Sequence, residues 1–101
     1  MPDYIAVTKT SDIRAGRGKA FTIKGRRIAV FNDDGDFSAL NNICAHAMGS
    51  LGRGRVKNGV VVCPVHGYTY DVKTGACRTD ARLRVESYEV LVEDDEVQIK
   101  C

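Results

Sequence analysis

The chain is predicted to fold as an all-β antiparallel sandwich, and three features of its 101 residues carry that expectation. No segment shows the 3.6-residue apolar period of an amphipathic helix. Short runs rich in β-branched and aromatic residues are punctuated by Asp34-Gly35 and Asn58-Gly59, dipeptides that supply the positive φ angles of tight hairpins. The last third of the chain alternates apolar and polar residues with period two, as a half-buried strand must.

Taken in order, Tyr4–Val7 reads as a first short strand and Thr8–Gly18 as a polar loop around Ile13. Ala20–Ile23 and Arg27–Phe31 form a hairpin about the turn Lys24-Gly25-Arg26, the second strand apolar enough to be central. Asn32–Asp36 is a turn. Its acidic residues suit a solvated bend better than a calcium loop, since the segment is short and lacks the closing Glu of an EF-hand. Phe37–Ile43 is the next strand. Arg53–Lys57 and Val60–Val62 pair across Asn58-Gly59, and Pro64 and Gly67 stiffen the segment that follows. Arg78–Arg84 is read as loop, and Val85–Val92 with Val97–Lys100 closes the chain as a hairpin about Glu93–Glu96.

With 44 % apolar residues the chain can bury one modest core, so a single domain over residues 1–101 is expected, without a linker. No run approaches the roughly 18 apolar residues that span a bilayer, and the N-terminus lacks a signal-peptide pattern. A soluble, cytoplasmic protein is therefore expected, with no membrane association. The net charge of +2 comes from basic residues dispersed among acidic ones. Nothing in that distribution points to nucleic acid.

The chemistry concentrates between residues 44 and 66. Both histidines and two of the four cysteines fall there as Cys44-Ala45-His46 and Cys63-Pro64-Val65-His66. Two thiolates and two imidazoles make a four-ligand set suited to zinc or to an iron–sulfur centre. Zinc folds usually take two cysteines from one turn and two histidines from another, whereas here each loop offers one of each. A two-iron centre gripped from both sides accommodates that pattern: each loop gives its Cys to one iron and its His to the other. Gly49 and its small neighbours allow backbone N–H groups to approach sulfur closely. Cys77 and Cys101 are expected to be thiols outside the ligand set.

On these motifs the chain resembles the Rieske family, whose Cys-x-His and Cys-x-x-His pairs at about this separation hold a [2Fe–2S] cluster with both histidines on one iron. The likeness extends beyond the second pair through Gly67, Tyr68, Tyr70, Asp71 and Gly75. It implies a β-sandwich with a cluster-binding subdomain at about 41–80, cluster ligands Cys44, His46, Cys63 and His66, and supporting contacts from Gly49, Gly67 and Tyr70. A cluster of two ferric ions, two sulfides and two thiolates is neutral, so reduction takes it only to −1, and the potential is raised relative to a four-cysteine centre. Members of high potential place a Ser and a Tyr near the sulfurs. Tyr70 stands at the Tyr position, but Tyr68 replaces the Ser, which implies a low to intermediate potential within the family. Two departures are visible: Met48 stands where a Gly is frequent, and Gly49 and Val65 stand where the membrane-bound branch has a disulfide.

Without an attached domain, such a chain has no substrate pocket and no nucleophile beside a base. The reading is therefore a one-electron carrier and not an enzyme: a soluble ferredoxin passing electrons from a flavoprotein reductase to a terminal oxygenase. The resemblance implies passage over His46 and His66 at an exposed tip, and Arg53, Arg55 and Lys57 are close enough in sequence to steer an acidic partner. Two other readings are the small subunit of an assimilatory nitrite reductase and a structural zinc module.

Overall fold

The computed structural model describes residues 4–44, 49–65 and 67–100, and its regular elements are nine strands and two short 3-10 turns. The strands are β1 (Tyr4–Lys9), β2 (Arg17–Ile23), β3 (Arg26–Asp33), β4 (Asp36–Asn41), β5 (Arg55–Lys57), β6 (Val60–Val62), β7 (Thr69–Asp71), β8 (Ser87–Glu93) and β9 (Glu96–Lys100). They form an antiparallel six-stranded sheet in the order β1-β9-β8-β4-β3-β2 and a three-stranded sheet β5-β6-β7.

Four tight turns set the registers. Lys24-Gly25, Asp34-Gly35 and Asn58-Gly59 each carry two successive positive φ angles, and so do Asp94 and Asp95. That is the type I′ geometry whose twist matches a hairpin. Several strands run further than their composition suggests. β1 extends to Lys9 and β2 begins at Arg17, which shortens the expected loop at Thr8–Gly18 to residues 10–16. The added residues are polar, and partner strands supply their hydrogen bonds: Lys9 stands opposite Glu96, and Arg17 opposite Asn32. The strand expected from Phe37 to Ile43 instead spans Asp36–Asn41, and β8 starts at Ser87 instead of Val85. Thr69–Asp71, noticed only for its family likeness, is the third strand of the small sheet.

β3 and β4 form a wall between two cores. Ile28, Val30, Phe37 and Ala39 face a cluster completed by Ile13, Ile23, Val97 and Ile99. Ala29, Phe31 and Leu40, on the opposite face, pack with Leu51, Val56, Val61, Tyr70, Val72 and the thiols Cys44, Cys63 and Cys77. Burial on both faces explains why Ile28–Phe31 is an unbroken apolar run instead of an alternating one. It also places both loop cysteines in the same core.

Candidate metal centre

The first loop leaves β4 and is closed at its base by backbone hydrogen bonds. Ile43 and Ser50 form an antiparallel bridge, and the Cys44 N–H donates to the Gly49 carbonyl at 2.8 Å. Asn42 holds the base from inside. Its side-chain oxygen accepts the Gly52 N–H at 2.8 Å and the Ser50 hydroxyl at 3.1 Å, and its carbonyl accepts the Leu51 N–H. At 5 % exposure Asn42 is one of the few buried polar residues among the described ones, and these bonds offset the cost of burying it. Nothing in the sequence distinguishes Asn42 from an ordinary turn residue, because its partners lie eight to ten positions further on.

The second loop joins β6 to β7. The Cys63 N–H donates to the Tyr68 carbonyl at 2.7 Å, and the Gly67 N–H donates back to the Cys63 carbonyl at 3.0 Å. Gly67 has φ +75°, a conformation that costs glycine little, so it can turn the chain immediately before β7.

Two contacts bind the loops together. Cys44 Sγ from the first loop lies 3.0 Å from the hydroxyl of Tyr70, in β7 beyond the second loop. Gly49, in turn, faces the second loop so closely that a Cβ would collide with the Val65 side chain and lie 3.1 Å from Cys63 Sγ. The pair Gly49/Val65 is thus in contact as an apolar junction. Cys44 and Cys63 are each 1 % exposed, and Tyr70 is fully buried.

Of the expected ligands, Cys44 and Cys63 are in the described structure, at the inner ends of the two loops. His46, His66 and Met48 lie outside the described residues, as does Cys101. Cys77 belongs to the same core, where its sulfur accepts the Asp80 N–H at 3.4 Å. Among the described residues no group of three or more Cys, His, Asp or Glu side chains could hold a metal. The described part of the donor set fits an iron–sulfur group: two buried soft donors from opposite loops, a phenol at one sulfur, and glycine backbone at the other. A thiolate bound to metal can only accept a hydrogen bond, so the Tyr70 hydroxyl is the donor in that state.

Beside this geometry, comparison with known proteins adds the following. Residues 3–89 match the family model described as the Rieske [2Fe-2S] domain. The chain is 28 % identical over 97 residues to the ferredoxin component of a naphthalene 1,2-dioxygenase system from Pseudomonas putida, covering 95 % of this chain and 93 % of that one. It is similar to a chain in the solved complex of reduced oxygenase and oxidised ferredoxin in carbazole 1,9a-dioxygenase, with a TM-score of 0.86, 26 % identity and coverage of 99 % and 94 %. A putative NADH-dependent nitrite reductase small subunit from Mycobacterium tuberculosis superposes with a TM-score of 0.91 at 22 % identity, over 100 % and 96 % of the two chains. At that identity the likeness concerns the fold. No helix among the described residues is long and apolar enough to cross a membrane.

Proposed function

The chain belongs to the Rieske [2Fe–2S] domain family, and from that premise we propose that it is a one-electron carrier that takes electrons from a flavoprotein reductase and delivers them to a terminal oxygenase in the cytoplasm. Cys44, His46, Cys63 and His66 are the cluster ligands in this reading, and residues 41–80 are the subdomain that presents them. When bound, the [2Fe–2S] centre supplies the one-electron couple. The rest falls to the protein. Cys44 and Cys63 provide charge from a buried position, and the Tyr70 hydroxyl donates to Cys44 Sγ. Gly49 keeps the first loop close to Cys63.

The observation that carries the proposal is the reciprocal clamp between the loops: Tyr70 on Cys44 from one side and Gly49 on Cys63 from the other. A chain that used only one loop would need neither contact. The partner assignment is supported by the naming of the Pseudomonas putida relative as the ferredoxin component of a dioxygenase system, and by the solved oxygenase–ferredoxin complex. The nitrite reductase reading has only fold-level likeness behind it.

Anaerobic purification followed by electron paramagnetic resonance of the dithionite-reduced protein tests the proposal. About two irons and two acid-labile sulfides per chain, with a rhombic signal, are expected. A colourless preparation holding one zinc would refute it. Stable copurification with a large haem protein would favour the nitrite reductase reading instead.

A further inference from the structure

We propose that the flank of the first metal loop is a docking surface for the acidic face of a redox partner protein, with Lys19, Arg27 and Arg53 as its cationic anchors. This rests on the electron-carrier reading and adds the chemistry of the partner. The three side chains come from β2, β3 and the 3-10 turn Leu51–Arg53, and they converge on one cleft of about 400 Å³ that contains no carboxylate in its lining. Among the described residues none of the three forms a salt bridge; the four ion pairs that exist involve other cations. Lys19 lies with its ammonium 5.7 Å from the Phe21 ring, and Arg27 spends one N–H on the Thr22 hydroxyl. Most of the guanidinium donors remain available for carboxylates, which Arg engages in pairs.

The cleft is tied to the metal loop. Ser50 and Asn42 line it as well, and these residues close the loop that carries Cys44. Exposed apolar residues are linked to it: Ile43, bridged to the cleft residue Ser50, and Val65, packed on Gly49, are 42 % and 48 % exposed, and Val62 is 41 % exposed. Ile43 immediately precedes Cys44, Val62 immediately precedes Cys63, and Val65 immediately precedes His66. Arg55 stands directly across from Val62 in the β5–β6 ladder, so charge borders the apolar area on this side too. An apolar centre with a charged border is the anatomy of a small protein interface.

The basic residues are not equivalent. Arg17, Arg55 and Lys57 share the neighbouring cleft of about 520 Å³ with Asp33 and Asp34, whose carboxylates offset their field. Lys19 feels Asp12, whose carboxylate the Thr8 hydroxyl and the Lys9 N–H hold in its charged form, so part of the Lys19 field is offset. The least compensated positive charge therefore falls at Arg27 and Arg53, with Lys19 beside them, and it draws carboxylates toward the base of the loop that carries Cys44.

The test uses the reduced holoprotein and two haem probes of opposite charge, acidic cytochrome b5 and basic cytochrome c, in stopped-flow electron transfer at ionic strengths from about 0.01 to 0.3 M. The wild-type rate toward cytochrome b5 is expected to fall with salt. Arg27→Gln/Arg53→Gln should slow that reaction about three- to tenfold at low salt while keeping the visible spectrum and leaving the rate toward cytochrome c unchanged or faster. Lys73→Gln/Lys100→Gln, which removes the same charge from residues that pair with Asp36 and Glu89 outside the cleft, should change it less than twofold. Equal slowing by both pairs, or no effect of either, would overturn the docking surface while leaving the carrier reading intact. Failure of the wild-type holoprotein to reduce either probe would overturn the carrier reading and the surface with it.

Discussion

Replacing Tyr70 by Phe removes one hydroxyl from the core and should lower the midpoint potential without loss of the cluster. The phenol oxygen is 3.0 Å from Cys44 Sγ, and the residue is fully buried, so no water takes its place readily. Reduction adds negative charge that is shared with the thiolate sulfurs. A donor on sulfur therefore stabilises the reduced state more than the oxidised one. A net hydrogen bond is worth about 1 kcal/mol, and about 1.5–3 when its acceptor is charged; a thiolate that shares its charge with iron belongs at the low end, about 1–2. For a one-electron couple, 1.4 kcal/mol corresponds to about 59 mV, and only the part of the bond that strengthens on reduction counts, so the shift should be downward and at most about 85 mV. Protein-film voltammetry measures it, with iron content and the visible spectrum showing that the centre is intact. Tyr88→Phe is the control, because its hydroxyl donates to Glu86 on β8's side of the sheet. A potential unchanged within about 10 mV, or one that rises, would mean that the phenol does not donate to Cys44 in the loaded protein.

His46→Ala and Cys63→Ser should each abolish the visible absorption, and a normal cluster in either variant would refute the ligand assignment. Gly49→Ala should lower iron content, because the added methyl meets Val65 and approaches Cys63 Sγ; Gly49→Ala/Val65→Ala should recover part of it, and full iron in the single variant would show that the loops do not close this tightly. Cys77→Ser and Cys101→Ser should leave iron content unchanged, and the first should lower thermal stability by about 1 kcal/mol, since a hydroxyl replaces a buried thiol. Asp12 has its carboxyl held below the ordinary range by the Thr8 hydroxyl, the Lys9 N–H and nearby lysines. Because the folded value is the lower one, its contribution is present above the unfolded value near pH 4 and is lost as pH falls through the folded value. Thermal melts of Asp12→Asn should therefore show lower stability than wild type above about pH 5, with the difference shrinking as the pH falls below the unfolded value of about 4; a constant difference as the pH falls would refute it.

How much could be read from residues alone varied with how local the cause was. The tight turns at Asp34-Gly35 and Asn58-Gly59 were legible because a positive φ angle is a property of two adjacent residues. β7 was not, since three residues have little pattern of their own and Thr69–Asp71 is a strand only because β6 pairs with it. The polar ends of β1 and β2 were missed for the same reason. At the centre, the mixed Cys and His pairs declared the chemistry, and Tyr70 could be singled out by likeness. Asn42 could not, because its function is to bridge the two sides of a loop that only the folded chain brings together.

The β class was legible in the residues themselves, and so was the proposal of a Cys and His donor set, because turn dipeptides, period-two runs and paired donor residues act through nearest neighbours. The tertiary structure alone decided three further points: that β3 and β4 are buried on both faces, that Tyr70 meets Cys44 across 26 positions, and that Lys19, Arg27 and Arg53 share one cleft. Each depends on strand order and loop approach. Side chains far apart along the chain act on one another only where packing brings their atoms within a few ångströms.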